Sequence, residues 1–414
     1  MNLQPPLIIL QPNKQHNKSS NLPTYKSILP HTMAPVKVVI VGGGPAGISA
    51  ATALAKNPQL EITVIEKHKS FAYHNYAGPR ALVIPKWADA IFVDNSNLFK
   101  DNKANKIVTG TAKSVKAHQV ELEDGSIISF DYAVLATGST NASKTKYDDK
   151  ADGIKEYHTI AESVKNAKTI LIVGGGAVGV EFAGEVAAQY PTKKVTLVTS
   201  QPYLINEHFS KTHLTKKITE TLSKMGVTVV LSEKIVKGED GHILPNGADY
   251  SLTPATVKSE SGKEYTADVV YLAVGNAKFN TEAIADGLGE GVLNEKKEVK
   301  VKETLQVVGF DNIFALGDII DTKTPKVGFV TQSQGPIIAK NLASILANKP
   351  LTGKWTSASA LDVMGVAFGP AHGVVYTPLG IFGNFTARMM KSKTIFLPAT
   401  YDSVHAGKVP EGLF

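Results

Sequence analysis

Twice in this chain an apolar, β-branched run breaks into a G-x-G-x-x-G turn and then into an alanine-rich stretch with helical spacing. The first copy is Val38-Val39-Ile40-Val41 followed by Gly42-Gly43-Gly44-Pro45-Ala46-Gly47. The second is Ile170-Leu171-Ile172-Val173 followed by Gly174-Gly175-Gly176-Ala177-Val178-Gly179. Each glycine answers a separate steric demand. The first permits a tight strand-to-helix turn, the second lets the backbone approach a pyrophosphate, and the third lets the helix close on the strand. A phosphate then sits on free N–H groups at the helix N-terminus. A buried strand before the turn and a helix after it distinguish a nucleotide site from an incidental glycine turn. One copy predicts a dinucleotide site; two predict two dinucleotides held in one chain.

At 414 residues, 43% hydrophobic and 20% charged, the chain suits a soluble globular protein of two or three domains. No apolar run approaches the ~20 residues that span a bilayer. The net charge of +7 is compatible with attraction to anionic membranes, but there is no dense basic tract or motif of a nucleic-acid binder. The complete absence of cysteine excludes disulfides, thiolate metal sites and redox-active thiols. Residues 1–35 contain no Asp or Glu and are rich in Pro, Gln and Asn; they read as a disordered or dispensable extension, with Met33-Ala34-Pro35 as an alternative start. Leu7 to Leu10 is too short for a secretory signal, so the chain is expected not to be secreted.

Along the chain, Val36 to Val41 reads as a strand, Pro45 to Lys56 as a helix and Glu61 to Ile65 as a second strand. Glu66 follows, placed to accept hydrogen bonds from a ribose hydroxyl pair. Asp131-Tyr132-Ala133-Val134-Leu135-Ala136-Thr137-Gly138-Ser139 and Asp311-Asn312-Ile313-Phe314-Ala315-Leu316-Gly317-Asp318 each read as a strand ending in a small turn. Both resemble signatures of the two-dinucleotide flavoprotein reductases. That resemblance places Asp318 on the ribityl chain of FAD. In the second unit Ala273-Val274-Gly275-Asn276 is a matching terminal turn. Gln334 to Leu346 reads as a helix whose N-terminus points toward the flavin pyrimidine ring.

The expected fold class is α/β: two Rossmann-like dinucleotide-binding domains, one inserted in the other, plus a small C-terminal α+β domain. Residues 36–145 and 266–350 are assigned to the FAD domain, 146–265 to the NAD(P)H domain and 351–414 to the C-terminal domain. The FAD-binding residues on this reading are Gly42, Gly44, Pro45, Ala46, Gly47, Glu66, Arg80, Thr137, Gly138 and Asp318. Those for the nicotinamide cofactor are Gly174, Gly176, Val178, Gly179, Thr199 and Gly275. Thr199 and Ser200 stand where an acidic residue would select NAD, so NADH use with substantial NADPH tolerance is expected, His208 or Lys211 adding positive charge. Related reductases carry a glutamate at the position of Glu181, and the resemblance gives it the catalytic place, orienting the carboxamide or tuning the flavin. Glu185, four residues on and on the same helix face, reads as a solvated surface residue.

The C-terminal stretch Met364 to Phe385 is rich in glycine and apolar residues, and Ala387-Arg388-Met389-Met390-Lys391-Ser392-Lys393 mixes basic with apolar side chains. It fits either a core helix with a solvated face or an interfacial segment resting on a membrane. Without cysteine, electrons must leave the flavin directly for a quinone, oxygen, a dye-like acceptor or a one-electron carrier protein.

Over residues 36–400 the chain resembles the apoptosis-inducing-factor family, in particular its smaller branch containing the ferroptosis-suppressor flavoprotein and fungal relatives. The resemblance rests on both fingerprints, Val195-Thr196-Leu197-Val198-Thr199-Ser200, Gly317-Asp318, Phe368-Gly369-Pro370-Ala371-His372-Gly373 and Lys391-Ser392-Lys393-Thr394-Ile395-Phe396. Ser70 through Arg80 also has the look of this branch, where it would pass under the flavin. The resemblance implies an FAD-dependent NAD(P)H oxidoreductase reducing quinones, cytoplasmic or mitochondrial, with peripheral membrane contact and a dimer among its expected associations. The myristoyl anchor of that branch is not expected, because the sequence does not begin Met-Gly. A redox-sensing interaction flavoprotein and a ferredoxin reductase-like enzyme are the alternatives.

Overall fold

The β-branched runs ahead of the two glycine turns become the central strands of two parallel sheets, buried on both faces as parallel strands require. In the computed structural model, which describes residues 34–69, 71–140, 147, 149–210, 212–274, 278–323, 326, 330, 332–356 and 362–414, Val36–Val41 lies between Leu60–Glu66 and Tyr132–Leu135. Lys106–Thr109 and Ile313–Ala315 complete this first sheet at its edges. Its neighbour order is the 3-2-1-4 arrangement of a dinucleotide-binding half. The second sheet repeats it: Thr169–Val173 lies between Lys194–Val198 and Val269–Leu272, with Val227–Val230 outermost and Tyr250–Ser251 antiparallel at the other edge. In each unit an antiparallel excursion precedes the return strand. It is the three-stranded meander 112–129 in the first and the hairpin 255–267 in the second.

The chain leaves the first unit and returns to it through an antiparallel ribbon in which Ser139 pairs Phe279 and Thr140 pairs Lys278. The insertion is therefore bounded near 140 and 278. This moves one boundary: Val269–Leu272 pairs with Thr169–Val173, so the second unit runs beyond residue 265 and the first resumes only after the ribbon. Of the extension expected over residues 1–35, residues 1–33 lie outside the described residues.

Helix Pro45–Leu54 follows the first fingerprint and packs on helix Gln334–Leu346, while Ala177–Gln189 follows the second. The C-terminal segment forms an antiparallel sheet, Met364–Phe368, His372–Thr377 and Gly380–Phe382. Phe368 packs directly on Gly184 of the second fingerprint helix, where any Cβ would collide with the phenyl ring. The chain then turns back through 384–392 to helix Leu397–Ser403. There Tyr401 Oη donates to the Ala90 carbonyl at 3.1 Å, tying the segment to the first unit.

Candidate functional site: two glycine turns and the junction between them

At the first turn Gly42 has φ +109°, in the region that glycine alone enters freely. A Cβ on Gly47 would strike the Gly42 carbonyl oxygen, whereas one on Gly44 would meet nothing within 4 Å. Close packing at the first and third glycines and open space over the second form the cradle a pyrophosphate needs. Gly44 is the N-cap of the helix with Pro45 at its first turn, and no side chain caps it. The helix-terminal N–H groups stay available to an anion. Gly43 N–H donates to Glu66 Oε2 at 2.6 Å, which fixes the acid against the turn. Burial pushes the Glu66 carboxyl up, but hydrogen bonds and charge from His68, together with Gly43 N–H, more than reverse this and hold it below its usual range.

Gly317, at φ +83°, packs against the Cβ of Ala46. Its N–H donates to Gln334 Oε1 at 2.7 Å. Asp318 Oδ2 accepts from Ser139 Oγ at 2.8 Å. Thr137 Oγ1 donates to the Asn280 carbonyl at 2.5 Å, and Gly138 takes φ +68°. The structure thus gathers Gly42, Gly44, Pro45, Ala46, Gly47, Glu66, Thr137, Gly138 and Asp318 at the C-terminal ends of the strands of the first sheet. Two carboxylates beside an uncapped helix N-terminus suit the hydroxyls and pyrophosphate of FAD.

The second turn repeats this geometry. Gly174 has φ +120°, a Cβ on Gly179 would strike the Gly174 carbonyl oxygen, and the atom closest to a Cβ on Gly176 is Ile205 O at 4.0 Å. Val178 lies in the first turn of a helix that again has no side-chain cap. Thr199 packs its Cβ against Gly175, as Glu66 does against Gly43. The residues fit a second dinucleotide with no carboxylate from that position. His208 Nε2 bonds Asp362 Oδ1 at 2.8 Å. Gly275 and Lys211 lie outside the described residues.

Between the turns the structure departs from the sequence expectation. Glu185 is no solvated residue: it is 2% exposed and grips Arg80, with Nε to Oε2 at 3.0 Å and Nη2 to Oε1 at 2.8 Å. Burial pushes the Glu185 carboxyl up, and the Arg80 guanidinium opposes it. Arg80, expected on the cofactor, thus carries an internal ion pair. One helical turn earlier, Glu181 is also buried, and its Oε1 accepts from Lys391 Nζ at 2.6 Å and Ala367 N–H at 3.1 Å. In the sequence Lys391 belongs to a basic run and to a family-like stretch, but its pairing is hidden because the partner lies 210 residues away. His74 was also missed. Its Nε2 donates to the Ile395 carbonyl at 2.7 Å and its Nδ1 accepts from Thr400 Oγ1 at 2.8 Å. Burial pulls its pKa down to about 4, with Lys391 adding to the shift and the Ile395 carbonyl opposing it. A cavity of about 200 Å³ opens between the first turn, at Gly43 and Gly44, and the C-terminal helix, at Thr400 and Ser403.

Fold and site define an oxidoreductase that holds a flavin dinucleotide and a nicotinamide dinucleotide in one chain. The family described as pyridine nucleotide-disulphide oxidoreductase matches residues 36–335. Apoptosis-inducing factor homolog A of Dictyostelium discoideum is 32% identical over 377 residues, 87% of this chain and 90% of the relative. Ferroptosis suppressor protein 1 of Homo sapiens is 30% identical over 370 residues, 89% and 95% of the two chains. The solved structure of the sulfide:quinone oxidoreductase from Aquifex aeolicus superposes with a TM-score of 0.68 at 19% identity, covering 91% of this chain and 93% of that one. The chain belongs to the pyridine nucleotide-disulphide oxidoreductase family, with apoptosis-inducing-factor and ferroptosis-suppressor homologues, and is an FAD-dependent NAD(P)H oxidoreductase. Among the described residues no helix is long and apolar enough to cross a membrane.

Proposed function

We propose that this chain is a quinone reductase, transferring electrons from NAD(P)H by way of FAD to a quinone-type acceptor without any protein thiol. The observation that carries the reading is the pair of matched glycine turns, each open at its second glycine, in a chain with no cysteine. When bound, the nicotinamide supplies a hydride and the flavin supplies a two-electron store from which an acceptor is reduced. The first turn, Glu66 and Asp318 hold FAD; the second turn and Thr199 hold the nicotinamide dinucleotide. With no carboxylate at Thr199 to repel a 2′-phosphate, NADH use with NADPH tolerance remains the expected preference. Glu181 bonds both Lys391 and Ala367 through Oε1, which leaves Oε2 to orient a carboxamide. Lys391 holds a proton at Nζ within a mostly buried pair, where a reduced acceptor can draw on it.

The same reading places the acceptor at a membrane. Leu379 is 94% and Phe385 78% exposed, Met389 and Phe382 are exposed beside them in sequence, and Arg388 and Lys393 add positive charge. Exposed apolar side chains flanked by cations suit an anionic bilayer surface.

An acceptor panel on the purified yellow protein tests the function. NADH consumption that depends on a soluble ubiquinone analogue supports it. Turnover with ferredoxin alone, or a long-lived reduced protein that reduces no acceptor, overturns it.

A further inference from the structure

We propose that Arg80 is a positioning residue whose clasp on Glu185 sets the separation of the two dinucleotide units and holds the Lys391–Glu181 pair in register. The inference rests on the two-cofactor reading above. Arg80 is 1% exposed and sits on the short helix Gly78–Ala81 of the first unit. Glu185 lies on the second fingerprint helix, 105 residues away in sequence. Both nitrogens on one side of the guanidinium face both carboxylate oxygens, the fork-on-fork arrangement that fixes direction as well as distance. The guanidinium also stacks over the Trp87 ring, 4.9 Å from its centroid, and Nη1 donates to the Lys393 carbonyl at 3.4 Å. One side chain thereby touches all three parts of the molecule: the first unit, the helix of the second unit and the C-terminal segment.

Its two far contacts are one step from the Glu181 pair. Glu185 is one helical turn after Glu181, and Lys393 is two residues after Lys391. Displacing Arg80 therefore disturbs the helix that carries the acid and the short helical turn Arg388–Ser392 that carries the lysine. A buried ion pair contributes little net stability compared with apolar residues of similar shape, because both charges are stripped of water. What it does contribute is orientation. Near the two cofactors orientation matters steeply, since misplacement by about 1 Å costs on the order of 10²-fold in rate.

The experiment compares wild type with Arg80→Lys, Glu185→Gln and the apolar double variant Arg80→Met/Glu185→Leu, all as flavin-loaded full chains. Three measurements are made: the limiting rate of flavin bleaching at saturating NADH, the apparent Kd for NADH, and amide hydrogen exchange over 177–189 and 388–404. The double variant is expected to keep its flavin and melting temperature while bleaching about tenfold or more slowly, with little change in Kd and faster exchange in both segments. Glu185→Gln, which retains the shape and part of the hydrogen bonding, is expected to fall between the two. Unchanged limiting rate and exchange in a variant that merely melts earlier would overturn the clasp. Failure of wild-type flavin to bleach with NADH would instead strike the two-cofactor reading, and the exchange data would still decide the clasp.

Discussion

The ammonium of Lys391 lies 2.6 Å from Oε1 of Glu181 and donates a second hydrogen bond to the Gly365 carbonyl at 3.0 Å. Both side chains are largely withdrawn from water, 15% and 8% exposed, so neither charge is cheaply left alone. The pair joins the helix that follows the second glycine turn to the last part of the chain. That gives a C-terminal segment outside both nucleotide units a direct part in the site.

Removing one partner should expose this dependence. Lys391→Met leaves a buried carboxylate with one main-chain donor and is expected to cost about 3 kcal/mol of stability. Glu181→Gln keeps the shape but leaves the Lys391 ammonium without its counter-charge, so it should still fold and bind FAD, melt earlier than wild type, and turn over roughly 10²-fold more slowly. Flavin absorbance and steady-state kinetics on the same preparation check both statements. Wild-type turnover in Glu181→Gln would remove Glu181 from the machinery.

The glycine turns allow a sharper separation. Gly44 and Gly176 have extended backbone, φ −71° and −69°, and open space where a side chain would project. Gly44→Val should therefore fold yet emerge colourless, whereas Gly176→Val should be yellow and fail to bleach with NADH. Gly47→Ala and Gly179→Ala place a methyl against a carbonyl oxygen and are expected to lose about 1–3 kcal/mol of stability from overpacking. A yellow Gly44→Val with normal flavin content would refute the assignment of the first turn.

Acid should loosen the C-terminal segment before it unfolds the rest. His74 is held neutral, its folded pKa of about 4 lying below the ordinary 6.5. The stabilisation is complete above 6.5 and drains away as pH falls toward 4, by on the order of 3 kcal/mol in all. Glu66 has the same sign over a lower window: its folded pKa is depressed below 4.5, so its contribution stands above that value and is lost beneath it. Melting temperatures measured from pH 7 to pH 4 should fall in wild type and fall less in His74→Asn between 6.5 and 4.5. Parallel curves in that interval would contradict the assignment.

The nucleotide turns were legible in the sequence because their constraint is local. Gly42, Gly44 and Gly47 act on atoms within a few residues, and Glu66 follows from the length of one strand–helix–strand unit. Strand Val36–Val41 and helix Gln334–Leu346 likewise announce themselves by burial pattern. The pairs at the junction were not legible, because Arg80 and Lys391 find their partners only after both units have folded. A glutamate at helical spacing looks the same whether solvent or a guanidinium covers it, which is why Glu185 was expected on the surface. The boundary at 266 failed for a related reason: Val269–Leu272 is a short apolar run that fits either sheet, and only pairing decides between them.

The exposed residues of the C-terminal segment carry the last prediction. Leu379, Phe385 and Met389 stand out from the protein surface while Arg388 lies between the last two in sequence. Burying each apolar side chain in a bilayer is worth about 2 kcal/mol, and the flanking cations add attraction to anionic lipid. The triple variant Leu379→Glu/Phe385→Glu/Met389→Glu removes the apolar contacts and places acid beside acid, so flotation with phosphatidylserine-containing vesicles should drop by at least ~10²-fold. Because these side chains face solvent, flavin content and turnover with a short, soluble quinone should be unchanged. Turnover with a long-tailed quinone embedded in the vesicles should fall with flotation. Equal flotation of wild type and variant would show that this surface meets something other than lipid.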